Sequence, residues 1–172
     1  MIKYVKVVDD LTKLCEVGIG TNSDFYASIG MQEMEVEQGY DGNWYLLGYA
    51  PQMSLETAKE IKLDELSSIK DTKLLTLNYD GNDYQIDSDS KINISGKVSQ
   101  IILATSSGQD VGTINWITKD NKIVSFSKEE FMAFGIAVAT HTEAILFKHD
   151  QLRTAVNSAT SIDEIKAIEW VD

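Results

Sequence analysis

TINWITKDNKIVSFSKEEF, Thr113 to Phe131, sets two structural signals end to end, and together they decide the fold class. The first fourteen residues read as a β-hairpin, rich in β-branched and aromatic side chains on both sides of a turn at or near Lys119–Asn121. The last five open a helix. Ser127 and Glu130 have the spacing of a capping box, in which the serine oxygen accepts from the Glu130 amide and the glutamate reaches back. That helix is expected to run to about Ala155. A hairpin feeding directly into a long helix predicts an α+β protein.

Within the helix, Phe131, Val138, Ile145 and Leu152 recur every seven residues. Such a seam either lies on the chain's own hairpins or is shared with a second copy, giving a homo-oligomer through Phe131–Leu152. The intervening seam positions Phe134, His141 and Lys148 become polar along the helix, which favours the first arrangement.

Outward from this stretch the pattern repeats. KLLTLNY, the turn Asp80-Gly81-Asn82 and DYQID form a second hairpin. A helix is expected from Asp89 or Ser90, with Ile92, Val98, Ile101 and Ile102 on its apolar side, ending before the loop SSGQDVG. Ser161 and Glu164 repeat the capping-box spacing ahead of a short helix ending near Trp170. Upstream, Ser54 caps a helix over Leu55–Asp71, with Leu55, Ala58, Ile61, Leu66 and Ile69 at helical spacing.

The first fifty residues read differently. IKYVKVV is a strand, residues 9–30 are mostly loop with a short helical turn, and MEVEQ alternates at period two. Asp41-Gly42 is a hairpin turn, WYLLGYA the return strand, and Pro51, the chain's only proline, ends the unit. The expected organisation is a small N-terminal β-hairpin unit, 1–53, and a C-terminal α+β domain, 54–172, with two hairpins and three to four helices, one long.

The 172 residues carry a net charge of −12, which disfavours binding to nucleic acid and to anionic membrane surfaces. The longest apolar run, FMAFGIAVA, is far shorter than the roughly 20 residues of a membrane helix, and MIKYVKVVDDL has no signal-peptide pattern. A cytoplasmic protein is therefore expected. Cys15 is the only cysteine, so neither an internal disulfide nor a cysteine zinc site is available.

Chemistry-bearing constellations fail one by one. His141 and His149, considered with Glu143 as metal ligands, lie about 12 Å apart along a helix, too far to share an ion. DSDSKINISGKV has Asp at the first and third positions of a calcium loop but lacks its glycine and glutamate. Gly18-Ile19-Gly20 lacks the third glycine of a dinucleotide fingerprint. No catalytic residue, metal site or cofactor is expected. Aromatic residues remain: Trp44, Tyr45 and Tyr49 on the return strand, and Trp116 in the third hairpin. They are either core or a surface for binding a partner.

GMQEMEVEQGYDGNWYLLGYAPQ, LNYDGNDYQIDSDSKINISGKVSQI and the run from Ile114 to Trp170 together resemble small proteins encoded among phage and prophage tail genes. Those proteins often sit beside the tail-fibre gene of Mu-like and other contractile-tailed elements. The resemblance covers residues 24 to 170, its C-terminal part being a domain of unknown function; its most specific pieces are DGNWYLLGYAP, IDSDS and the INW…SKEEF pairing with EIKAIEW. The segment joining the helix at Leu55 to the second hairpin is shorter than usual. The resemblance implies a tail-fibre assembly chaperone or a minor structural piece of the tail or fibre, with the tail-fibre protein or another tail component as partner. It carries no catalytic residues. The place of action would be the bacterial host cytoplasm during assembly, or the virion tail. A surface-glycan enzyme is the third reading.

Overall fold

The computed structural model describes residues 1–171. The chain is α+β and divides into two compact units, Met1–Thr57 and Ala58 onward.

The first unit is more than a hairpin. Strands β1 (Ile2–Asp9), β2 (Leu14–Val17), β3 (Gln32–Gln38) and β4 (Trp44–Leu46) close into an antiparallel barrel in the order β1-β2-β4-β3. Each strand is paired on both sides, so the barrel has no free edge. Val5, Cys15 and Val36 fill its centre. Strand β2 lies in the stretch read above as loop. It is four residues long, and Lys13 just before it adopts a left-handed φ of 57°; nothing local in LCEV outweighs the polar residues around it.

The glycines of VGIG serve packing rather than a nucleotide. Helix α1 (Ser23–Ser28) carries the buried Tyr26, which stacks on Tyr4 at 4.9 Å between ring centroids. A Cβ on Gly18 would lie 2.4 Å from the Tyr26 ring, so only glycine lets the chain pass there. The Gly20 N–H donates to the Tyr26 hydroxyl at 2.6 Å.

In the second unit, helix α2 (Leu55–Lys73, its first turn belonging to the first unit) is followed by hairpin β5 (Thr76–Tyr79) and β6 (Asn82–Gln85). Helix α3 (Ser88–Ser106) comes next, then hairpin β7 (Ile114–Ile117) and β8 (Ile123–Phe126). Helix α4 (Lys128–Ser158) and the short α5 (Ile162–Lys166) complete it. The cap of α3 is Asp87, whose side chain accepts from the Ser90 N–H at 2.8 Å, rather than Asp89 or Ser90. The capping box at Ser127 and Glu130 is present in both directions. At α5 it is displaced: Ser161 accepts from the Glu164 N–H, but the glutamate reaches past it to the Thr160 N–H at 2.6 Å. Helix α5 stops at Lys166, short of Trp170.

Helix α4 is the spine. Phe131 and Phe134 are fully buried among Tyr84, Phe126 and Ile101 from the hairpins and α3. The Lys59 ammonium donates to the Asn157 carbonyl, and His141 Nε2 donates to the Lys73 carbonyl at 3.1 Å, so α2 runs antiparallel along the second half of α4. The heptad seam is therefore used within the chain: Phe131, Val138 and Ile145 are buried against its own elements. Leu152 is only partly buried, and Phe134, the seam position between Phe131 and Val138, lies in the core with them.

Gly135 sets the approach of α3 to α4. A Cβ there would lie 2.7 Å from Val98 Cγ2. Gly135→Ala gains about 1 kcal/mol of helix propensity but overpacks a β-branched neighbour by about 1–3 kcal/mol. The variant is expected to unfold at lower urea, and Gly135→Ala combined with Val98→Ala to lose less than the two single losses added. Additive losses would mean that the contact is absent.

The caps also predict an acid dependence. Hydrogen bonds from backbone N–H groups hold Asp87, Glu130 and Glu164 below the usual carboxylate range, donated mainly by Ser90, Ser127 and Thr160 respectively. The unfolded chain then takes up these protons first, so the stabilisation is complete above the ordinary values and fades as pH falls through the folded ones. Relief of the −12 charge acts in the opposite sense, so a variant must isolate the effect. Glu130→Gln keeps a capping side chain without the titration. Its urea midpoint should fall less than that of the parent between pH 7 and about pH 3.

Candidate interaction surfaces

The four aromatic residues picked out above occupy different environments. Tyr45 is buried, 7% exposed, and its hydroxyl donates to Asp41 Oδ2 at 2.6 Å. The same bond raises the Tyr45 pKa and lowers that of Asp41. Asp41 also accepts from the Asn43 N–H and side-chain amide, so Tyr45 clamps the turn between β3 and β4. Trp44 is half-buried against the barrel core, with the Lys3 ammonium 4.7 Å from its ring. Trp116 is half-buried too, edge-on to Phe131 at 5.1 Å. Of the four, only Tyr49 is open to solvent, at 55%.

Tyr49 has company. Tyr40 before β4 and Leu47 after it are likewise exposed. The segment holding Leu47 and Tyr49 is fixed: Glu37 Oε1 accepts from the Gly48 N–H at 2.7 Å and the Ala50 N–H at 3.1 Å, while the Leu47 N–H donates to the Glu35 carbonyl. The side chains at either end of β4 are thus presented by backbone that has little freedom left to lose on binding.

A second surface lies in the other unit. Helices α3 and α4, in contact at Gly135, diverge to leave an apolar groove of about 820 Å³. Ile94, Val98, Met132 and Leu146 are among the side chains lining it, and Lys91 and Glu143 are its charged ones. Burial pulls the Lys91 ammonium below its usual pKa. The Thr142 hydroxyl on the wall is buried without a hydrogen-bond partner among the described residues, a defect of about 1–3 kcal/mol. Ile136, Leu146 and Phe147 of α4, which line the groove, and Ile92, Ile102 and Leu103 elsewhere on α3 are 49% to 68% exposed.

The sequence held a signal for this face. Val98 to Gln109 and Phe131 to Thr142 contain no Asp, Glu, Lys or Arg, although 24% of the chain is charged and about six would be expected across the two runs. By length and composition alone, α4 would also suffice to cross a membrane: an 18-residue stretch has mean hydropathy 1.2, with 22% of it buried. Its Phe131, Phe134, Val138 and Ile145, however, are sealed inside the unit.

Chemistry-bearing groups do not converge. Among the described residues no three His, Cys, Asp or Glu are placed to hold a metal ion. His149 is pulled below its usual pKa, by burial first and then by Lys70 and Arg153. Cys15 sits in the barrel core with its thiol pKa raised by burial, the reverse of what a nucleophile needs.

Residues 57–170 match the family model described as "Domain of unknown function (DUF4376)". No curated protein and no solved structure matches the chain.

The two tyrosines should separate cleanly. Tyr49→Ala is expected to leave unfolding stability within about 0.5 kcal/mol of the parent, as for other exposed positions. Tyr45→Phe leaves Asp41 without its hydroxyl donor and should lower the urea midpoint. Equal effects from the two would contradict their placement.

Proposed function

We propose that this chain, which belongs to the DUF4376 family, is a non-enzymatic accessory protein of a phage tail that assists folding or attachment of the tail fibre. The resemblance of residues 24 to 170 to proteins of tail gene clusters supplies the context. The observation that carries a binding role is the pair Leu47 and Tyr49, left exposed on backbone that Glu37 fixes, with Tyr40 exposed at the other end of β4. Fibre chains are slow-folding and β-rich, with apolar surface open before assembly. A rigid rim of amphipathic tyrosines covers such surface at small entropic cost. The acidic surroundings repel further copies from an aggregating cluster: Met1–Thr57 holds three lysines against nine carboxylates.

The closed barrel, in which every strand has a neighbour on both sides, favours contact through side chains over addition of a strand. Tyr45 is buried and bonded to Asp41 and Trp44 is half-buried, so of the return strand's aromatic residues Tyr49 is the one best placed for that contact.

Co-expression with the neighbouring fibre gene tests the reading. The fibre should be soluble and trimeric with the chain and aggregated without it, and Tyr49→Ala with Leu47→Ala should lower the soluble yield several-fold while the chain itself stays folded. A fibre equally soluble alone overturns the chaperone role. Recovery of the chain in purified particles instead assigns it to the tail structure.

A further inference from the structure

We infer that the α3–α4 face is the contact between two copies of this chain, packed as a four-helix, two-fold dimer. This rests on the second unit alone and stands whatever partner the barrel rim takes.

The size is right. Six large apolar side chains on the two helices, 49% to 68% exposed, offer on the order of 100 Å² apiece. With the intervening small residues they approach the roughly 800 Å² per partner of a stable interface. The shape suits self-pairing. In a two-fold contact the same patch must supply both knob and hole. Here the exposed Ile136 and Phe147 line the same groove as the small residues Ser95, Ser99 and Gly135, so large and small side chains alternate on one patch.

Charge argues for a like partner rather than an unlike one. A chain of net charge −12 that recruited a basic protein through this face would place carboxylates on it. Instead Val98 to Gln109 and Phe131 to Thr142 are free of charge. Two acidic molecules meet most readily where few like charges are brought into the contact. The groove's two charged side chains, Lys91 and Glu143, have opposite signs, so a two-fold copy need not set like against like.

Sedimentation equilibrium of the full chain over a hundredfold range of concentration tests the inference. The mass should approach twice 19.1 kDa, and Phe147→Glu or Ile136→Glu should weaken association at least tenfold with an unchanged circular dichroism spectrum. Hydrogen exchange on the parent chain needs no variant: raising the concentration should slow exchange in residues 92–103 and 132–147 and nowhere in 1–57. A monomer at every concentration overturns the inference. So does association that protects other segments, or binding to neutral lipid vesicles by a chain that stays monomeric, which would give the apolar face to a membrane.

Discussion

Phe134 holds the second unit together. Its ring lies 4.7 Å from Tyr84, 5.3 Å from Tyr79, and 5.7 Å from both Phe126 and Phe131, so one side chain of α4 touches both hairpins. Each hairpin has two strands of four residues, and a two-stranded ribbon of that length is marginal in water by itself. What stabilises them is the aromatic layer that α4 provides. The next residue, Gly135, does the complementary work on α3: its missing side chain lets Val98 approach. Two adjacent positions thus dock the sheets and the neighbouring helix onto a single spine, and the capping box at Ser127 fixes where that spine begins.

The second unit was legible because its signals are local. Capping boxes act over four residues, hairpin turns over two, and helical periodicity within one segment. The first unit was not. Its barrel depends on β1 pairing with β3 across some thirty residues and on β2, a four-residue strand with no pattern of its own. Tyr45 illustrates the same limit: period two places it beside Leu47 and Tyr49 on one face, yet its burial follows from barrel closure and from Asp41, which no alternation rule foresees. Phe134 was legible from the heptad, which puts it three residues after Phe131 on the same seam, although the polar His141 and Lys148 further along hide how deeply it is buried.

The heptad also concealed the open face of α4. Phe131, Val138 and Ile145 drew attention to a seam that the fold consumes, while Ile136 and Phe147 fall on the other side of the helix. The better guide is what the sequence omits. In a chain so rich in carboxylates, two twelve-residue runs without charge on neighbouring helices mark a face from which charge is kept away. Burial inside the chain explains only part of each run, since Ile102, Leu103 and Ile136 remain exposed.

The two surfaces differ in kind, and the difference bears on what each is for. The barrel rim pairs tyrosines with polar tips and lies among carboxylates, a composition suited to contacts that form and release. The α3–α4 face is aliphatic and without charge over most of its extent, closer to the interior of a permanent interface. If the second surface is spent on a like copy, the resulting particle carries the first surface twice. Two copies of one contact surface on one particle raise the effective concentration for a second contact without any new chemistry at the first, so weak individual contacts suffice.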